Sequence, residues 1–116
     1  MIALLLFAWL SEQVAATDTA QQHLQAGLDA RKQHQVDLEI TEFRKASELD
    51  PNLADAFVNL GMAYMKKRDY GSAIAPLKRS LELSPGPPVA DQLLGYALLA
   101  QGYAAEAIPH LERVGA

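Results

Sequence analysis

Three histidines, His23, His34 and His110, are the side chains best suited by type to hold a metal or pass a proton. No two of them stand three or four residues apart, the spacing that sets two imidazoles on one helix face. A metal site would also need carboxylates converging on them, which nothing in the sequence indicates, so none is expected. The chain has no cysteine, which excludes thiolate metal centres, cysteine nucleophiles and disulfides. Ser11, Ser47, Ser72, Ser80 and Ser84 lack the strand–turn–helix setting that exposes a nucleophilic serine. Gly27, Gly61 and Gly95 are isolated and make no phosphate-binding loop. Glu39 and Glu42, one helical turn apart among basic residues, read as surface ion-pair partners. Lys66, Lys67 and Arg68, with Arg31 and Lys32 upstream, stand where helices close, and cations there complement the helix dipole. Nothing here meets the requirements of a catalytic site. The chain is expected to be no enzyme and to need no cofactor.

The 116 residues suffice for one small domain. Half of them are hydrophobic, enough to build a core, and the net charge is -4 at pH 7. That balance provides no basic field for a nucleic-acid backbone. Ile2 to Leu10 is a nearly unbroken apolar run, far short of the roughly 20 residues that span a bilayer. Its length, with Val14 and Ala16 where a signal peptidase wants small residues, predicts a secretory leader over residues 1–16. Export to a bacterial periplasm or the extracellular space is then expected. The alternative is an extra N-terminal helix on a cytoplasmic protein, since no Lys or Arg precedes the run.

The elements that position these residues follow from an internal period. Gly27, Gly61 and Gly95 are 34 residues apart, and so are Ile40, Ile74 and Ile108. Phe43, Leu77 and Leu111 keep the same register, as do Pro51 and Pro85. The repeats run over about 20–53, 54–87 and 88–116, and each reads as two helices. In the second, Asn52 is expected to cap a helix opening near Ala54, and Asp69 a second one carrying Tyr70, Ala73, Ile74, Leu77 and Leu81. Between paired helices, His34, Arg68 and Gly102 fall at a left-handed turn that suits only the glycine well. Pro76 and Pro109 lie inside second helices, where they are expected to face solvent.

The pattern resembles the tetratricopeptide repeat family. The second unit carries Phe57, Leu60, Gly61, Tyr64, Ala73, Leu77, Ser80 and Pro85 at the motif places. The first has His23, Ala26, Gly27, Ala30, Glu39, Phe43, Ala46 and Pro51 at those places, and the third Asp91, Leu94, Gly95, Leu98, Ala107 and Leu111. Three departures stand out: Glu39 where the motif has Ala, and the polar His23 and Asp91 where it has a large apolar residue. The resemblance implies an all-α, right-handed solenoid of three helix-turn-helix units. It implies a non-catalytic module that binds another protein, as a peptide or a partner helix, in a concave groove lined by first helices. Leu24, Leu28 and Arg31 would line the groove from the first unit. Asp55, Val58, Asn59, Met62, Met65 and Lys66 would do so from the second, and Tyr96 from the third.

The members of the family that clamp a terminal carboxylate place polar residues where Leu24, Leu28, Val89 and Leu93 stand here; only Asn59 matches. Clamp function is therefore not expected. A structural role is the rival reading: self-association, or further repeats stacked on the C-terminal face. That reading rests on the third unit's first helix, apolar nearly all round. Glu39 is expected to face Gly27 across the first unit, to pair with Arg31 and to escape toward solvent, so that Glu39→Ala would be neutral or stabilising.

Overall fold

Thr19 starts the first helix. Its hydroxyl accepts the Gln22 N–H at 3.2 Å, and the Gln22 side chain accepts the Thr19 N–H at 3.0 Å, so two otherwise orphaned donors are satisfied. The computed structural model describes residues 18–86 and 88–115. Among them lie α1 (Ala20–Lys32), α2 (Val36–Leu49), α3 (Ala54–Lys66), α4 (Tyr70–Leu83), α5 (Pro88–Ala100) and α6 (Ala104–Gly115). First helices begin 34 residues apart, at Ala20, Ala54 and Pro88, and second helices at Val36, Tyr70 and Ala104. The leader expected over residues 1–16 lies outside the described residues. No helix among those described is long and apolar enough to cross a membrane.

Each hairpin turns by the same device. His34, Arg68 and Gly102 adopt φ of 57°, 59° and 86°. The next residue then donates its N–H back to the first helix: Gln35 to Ala30 at 2.9 Å, Asp69 to Tyr64 at 3.0 Å, Tyr103 to Leu98 at 2.8 Å. Asp69 caps α4 as expected, its carboxylate accepting the Ser72 N–H. Asn52 does not cap α3: Leu53 is the cap residue and provides no side-chain bond. Asp50 accepts the Asn52 N–H at 3.0 Å, which fixes Asn52 in the preceding turn. Pro109 is exposed as expected, but Pro76 is only half-exposed.

The first and second helices of each hairpin pack together, and each second helix packs on the next first helix. The core forms two clusters, which together make an α-solenoid. One joins Leu24, Ile40, Phe43 and Ala46 to Ala56, Leu60 and Ala63 of the next hairpin. The other joins Ala73 and Leu77 to Leu94, Leu98 and Ala107. Within each hairpin a glycine admits the large residue opposite. A Cβ on Gly27, Gly61 or Gly95 would stand about 2.5 Å from Phe43, Leu77 or Leu111. Phe43, not Glu39, therefore covers Gly27.

Candidate functional site

Glu39 is the most buried charged group of the first two hairpins, only 1% exposed. Its Oε1 accepts from Arg31 Nε at 3.2 Å and from Lys66 Nζ at 2.8 Å. Its Oε2 has no hydrogen-bond partner among the described residues. Arg31 is held on three sides. Besides Glu39 it donates to Asn59 Oδ1 at 2.7 Å, and its guanidinium stands 5.3 Å from the centre of the Phe43 ring. Asn59 in turn donates to the Asp55 carbonyl at 2.7 Å. The surface pairing expected for Glu39 is thus corrected to a buried ionic network. A carboxylate there needs cations because no water solvates it, and Lys66 reaches it from the next hairpin. The partner Arg31 was legible from helix spacing; Lys66, 27 residues away across the stack, was not.

Two further pairs share a geometry. His23 Nδ1 lies 2.6 Å from Glu42 Oε2, and His110 Nδ1 lies 2.9 Å from Asp91 Oδ1. Both pairs link the two helices of a hairpin across 19 residues, with acid and imidazole exchanged between helices. The central hairpin has Phe57 and Pro76 at the corresponding places. His23 and Asp91 were recognisable as departures from the motif; the repeated spacing of 19 was the signal that they are paired. Asp91 is 1% exposed and also meets Arg113 Nη1 at 3.4 Å.

His23 Nε2 faces a second carboxylate, Asp18, at 2.6 Å. A neutral imidazole has one N–H and cannot donate to both acids, so the site favours the imidazolium. The Glu42 hydrogen bond raises the His23 pKa above that of free imidazole, opposed by burial and supported by Asp18. The stability from this pair is therefore complete below the unfolded histidine value of about 6.5 and is lost as pH rises through the raised folded value. Thermal unfolding of wild type and His23→Gln, compared from about pH 5 to 9, should show a difference that shrinks with rising pH. A difference constant across that range would contradict the assignment.

The expected groove residues divide by placement. Leu24 is 8% exposed and belongs to the core, with Leu28 packed against it. Val58 and Met65 pack against the second cluster and are half-buried. Met62 is half-buried, Asp55 and Lys66 are exposed, and Arg31 and Asn59 hold each other. Tyr96 is 56% exposed, its ring set edge-on to Tyr70 at 5.7 Å, and Leu99 beside it is 45% exposed. Leu24 thus belongs to the core, while Tyr96 and Leu99 remain exposed on α5. The basic cluster is largely neutralised within the molecule: Lys67 meets Asp37 at 2.6 Å while Arg31 and Lys66 serve Glu39.

This arrangement of hairpins defines an α-solenoid repeat protein. A family model described as tetratricopeptide repeat matches residues 42–75. Solved structures share the fold. A MamA structure from AMB-1 superposes with a TM-score of 0.79 at 22% identity, covering 91% of this chain and 58% of that one. Another MamA crystal structure gives 0.78 at 24%, covering 87% and 55%. The first TPR of Spaghetti (RPAP3), bound to the HSP90 peptide SRMEEVD, gives 0.73 at 23%, covering 84% and 80%. The chain spans a little over half the length of those MamA chains. No curated protein matches it in sequence. The fold is that of tetratricopeptide repeat solenoids, and residues 42–75 match the family's own model.

Proposed function

We propose that the chain is a non-catalytic protein-interaction module that binds a peptide or a partner helix along the face formed by α3 and α5. The observation that carries this reading is the exposed pair Tyr96 and Leu99 on α5, with the half-buried Met62 and Met65 on the neighbouring α3. Aromatic and methionine side chains on a rigid helical frame supply apolar contact area that adapts to a ligand. The Spaghetti structure, solved with an HSP90 peptide, supports the reading by likeness of fold. A clamped terminal carboxylate fits the face poorly: Leu24, Leu28, Val89 and Leu93 provide no donors, and the Asn59 amide nitrogen already donates to the Asp55 carbonyl. Asp55 and Lys66 would give the face its polar rim.

The test is selection of binders from a random peptide library on the immobilised chain. Tyr96→Asp combined with Met62→Asp should abolish binding of the selected peptides and leave helicity intact. Binders that survive both substitutions would refute the site. We also read Ile2 to Leu10 as the core of an export leader. Expression in a bacterium with mass analysis of the product should then yield a chain beginning at Thr17.

A further inference from the structure

A cavity of about 50 Å³ opens between the second and third hairpins, at the N-terminal ends of α3 and α5. Ala54, Val58, Val89 and Ala90 form its apolar walls, and Asp55, Ser80 and Ser84 contribute oxygen atoms. That room matches roughly four waters, or one small branched side chain such as valine. The cavity has a local cause. One repeat earlier, Leu24 stands in the place of Val58, is 8% exposed and belongs to the first core cluster. Val58 is one methylene shorter and only half-buried, which leaves the space open.

The charge beside this cavity is uncompensated. Asp55 is exposed in the first turn of α3, where the helix dipole favours an anion, and its carboxylate meets no cation among the described residues. Lys66 stands about 16 Å further along the helix, beyond a screening length of about 10 Å, and both it and Arg31 are spent on Glu39. Lys32 likewise closes α1 at its far end. Arg79, next to Ser80, is held by Glu82 and the Pro51 carbonyl. Ser80 spends its own proton on the Leu77 carbonyl at 2.9 Å, so its oxygen remains an acceptor. We infer that this cavity is the specificity pocket of the α3 and α5 face, and that it takes a small aliphatic side chain, valine or isoleucine, flanked by lysine or arginine. The aliphatic group fills the space that Leu24 fills one repeat earlier, and the cation pairs with Asp55. An acidic segment is rejected, because it would set like charge against Asp55 with no free cation at that end of the face.

This specificity rests on the peptide-binding reading of the face, and the two fail differently. Three peptide libraries, random except for a central Lys-Val-Lys, Glu-Val-Glu or Lys-Asn-Lys, are selected on the immobilised chain beside a fully random one. Of the three, the Lys-Val-Lys library should yield the binders. Val58→Leu, which borrows the residue of the first hairpin, should weaken them about tenfold or more while the melting temperature holds or rises. Asp55→Lys should reverse the preference in favour of Glu-Val-Glu, and either preference should fade in about 0.5 M salt. Equal yields from Lys-Val-Lys and Glu-Val-Glu would overturn the role of Asp55, and equal yields from Lys-Asn-Lys would overturn that of the cavity. Binders from the fully random library that Tyr96→Asp with Met62→Asp abolishes, but that neither Val58→Leu nor Asp55→Lys affects, would overturn the inference and leave the reading of the face standing. No binder from any library would remove both.

Discussion

Replacing Arg31 and Lys66 together by methionine should lower stability by about 3–5 kcal/mol, because it strands a buried carboxylate without a cation. Glu39 is 1% exposed, and every side-chain bond it makes among the described residues runs to those two cations. Lys66 is itself 38% exposed, so water screens part of its charge and its single replacement should cost less than that of Arg31. Adding Glu39→Ala to the double variant should recover most of the loss, since Ala73 and Ala107 occupy the same place in the other hairpins and are fully buried there. Glu39→Ala alone should destabilise by about 1–3 kcal/mol through two lost charge-assisted bonds. The neutral outcome expected from sequence applied to a carboxylate that escapes to water, and this one does not. Urea titration of the five variants decides the matter. A double variant within about 1 kcal/mol of wild type would show that the network contributes no stability.

Leu77→Ala should be nearly as damaging, at about 2–5 kcal/mol, because the side chain is fully buried in the second core cluster. Gly61→Ala should cost about 1–3 kcal/mol even though alanine is the better helix former. The new Cβ would stand 2.5 Å from Leu77 Cγ, and neither partner has room to yield. The two effects share one contact, so the double variant should be less unstable than the sum of the singles by at least about 0.5 kcal/mol. Gly71→Ala is the control: its nearest neighbour would be the Gln101 side chain at 3.6 Å, an ordinary contact. Strict additivity of Gly61→Ala and Leu77→Ala would show that the glycine is not there to admit the leucine.

The helical hairpins and their period were legible because each depends on residues within one repeat. Gly61 with Leu77, and Asp69 with Ser72, are local marks of a local structure. The side chains that depart from the repeat were visible as departures only. Glu39 could be assigned to Arg31, eight residues away, but Lys66 belongs to the next hairpin and no helical spacing relates the two. The Asn52 cap failed because the cap residue is its neighbour Leu53, and the Asn52 amide oxygen accepts from Arg79 instead. The motif register placed Leu24 on the ligand face, yet the side chain packs beneath it against Ile40 and Phe43. Register states which way a residue points, and the curvature of the stack determines how far it is covered.

The ionic network also bears on how the chain avoids assembling in the wrong order. Modules of one fold and one packing pattern invite a hairpin to be skipped, with α5 docking on α2, because Leu94 fits where Leu60 does. In that arrangement Ala100 would replace Lys66 and Leu93 would replace Asn59. Glu39 would lose one of its two cations, and Arg31 its amide acceptor, in a site closed to water. The penalty falls on the mispaired form alone, so we expect the Glu39 contacts to act as a key that admits only the adjacent hairpin. Deleting residues 54–87 forces the mispairing and gives a direct check: Glu39→Ala should stabilise that shortened chain while it destabilises the full one.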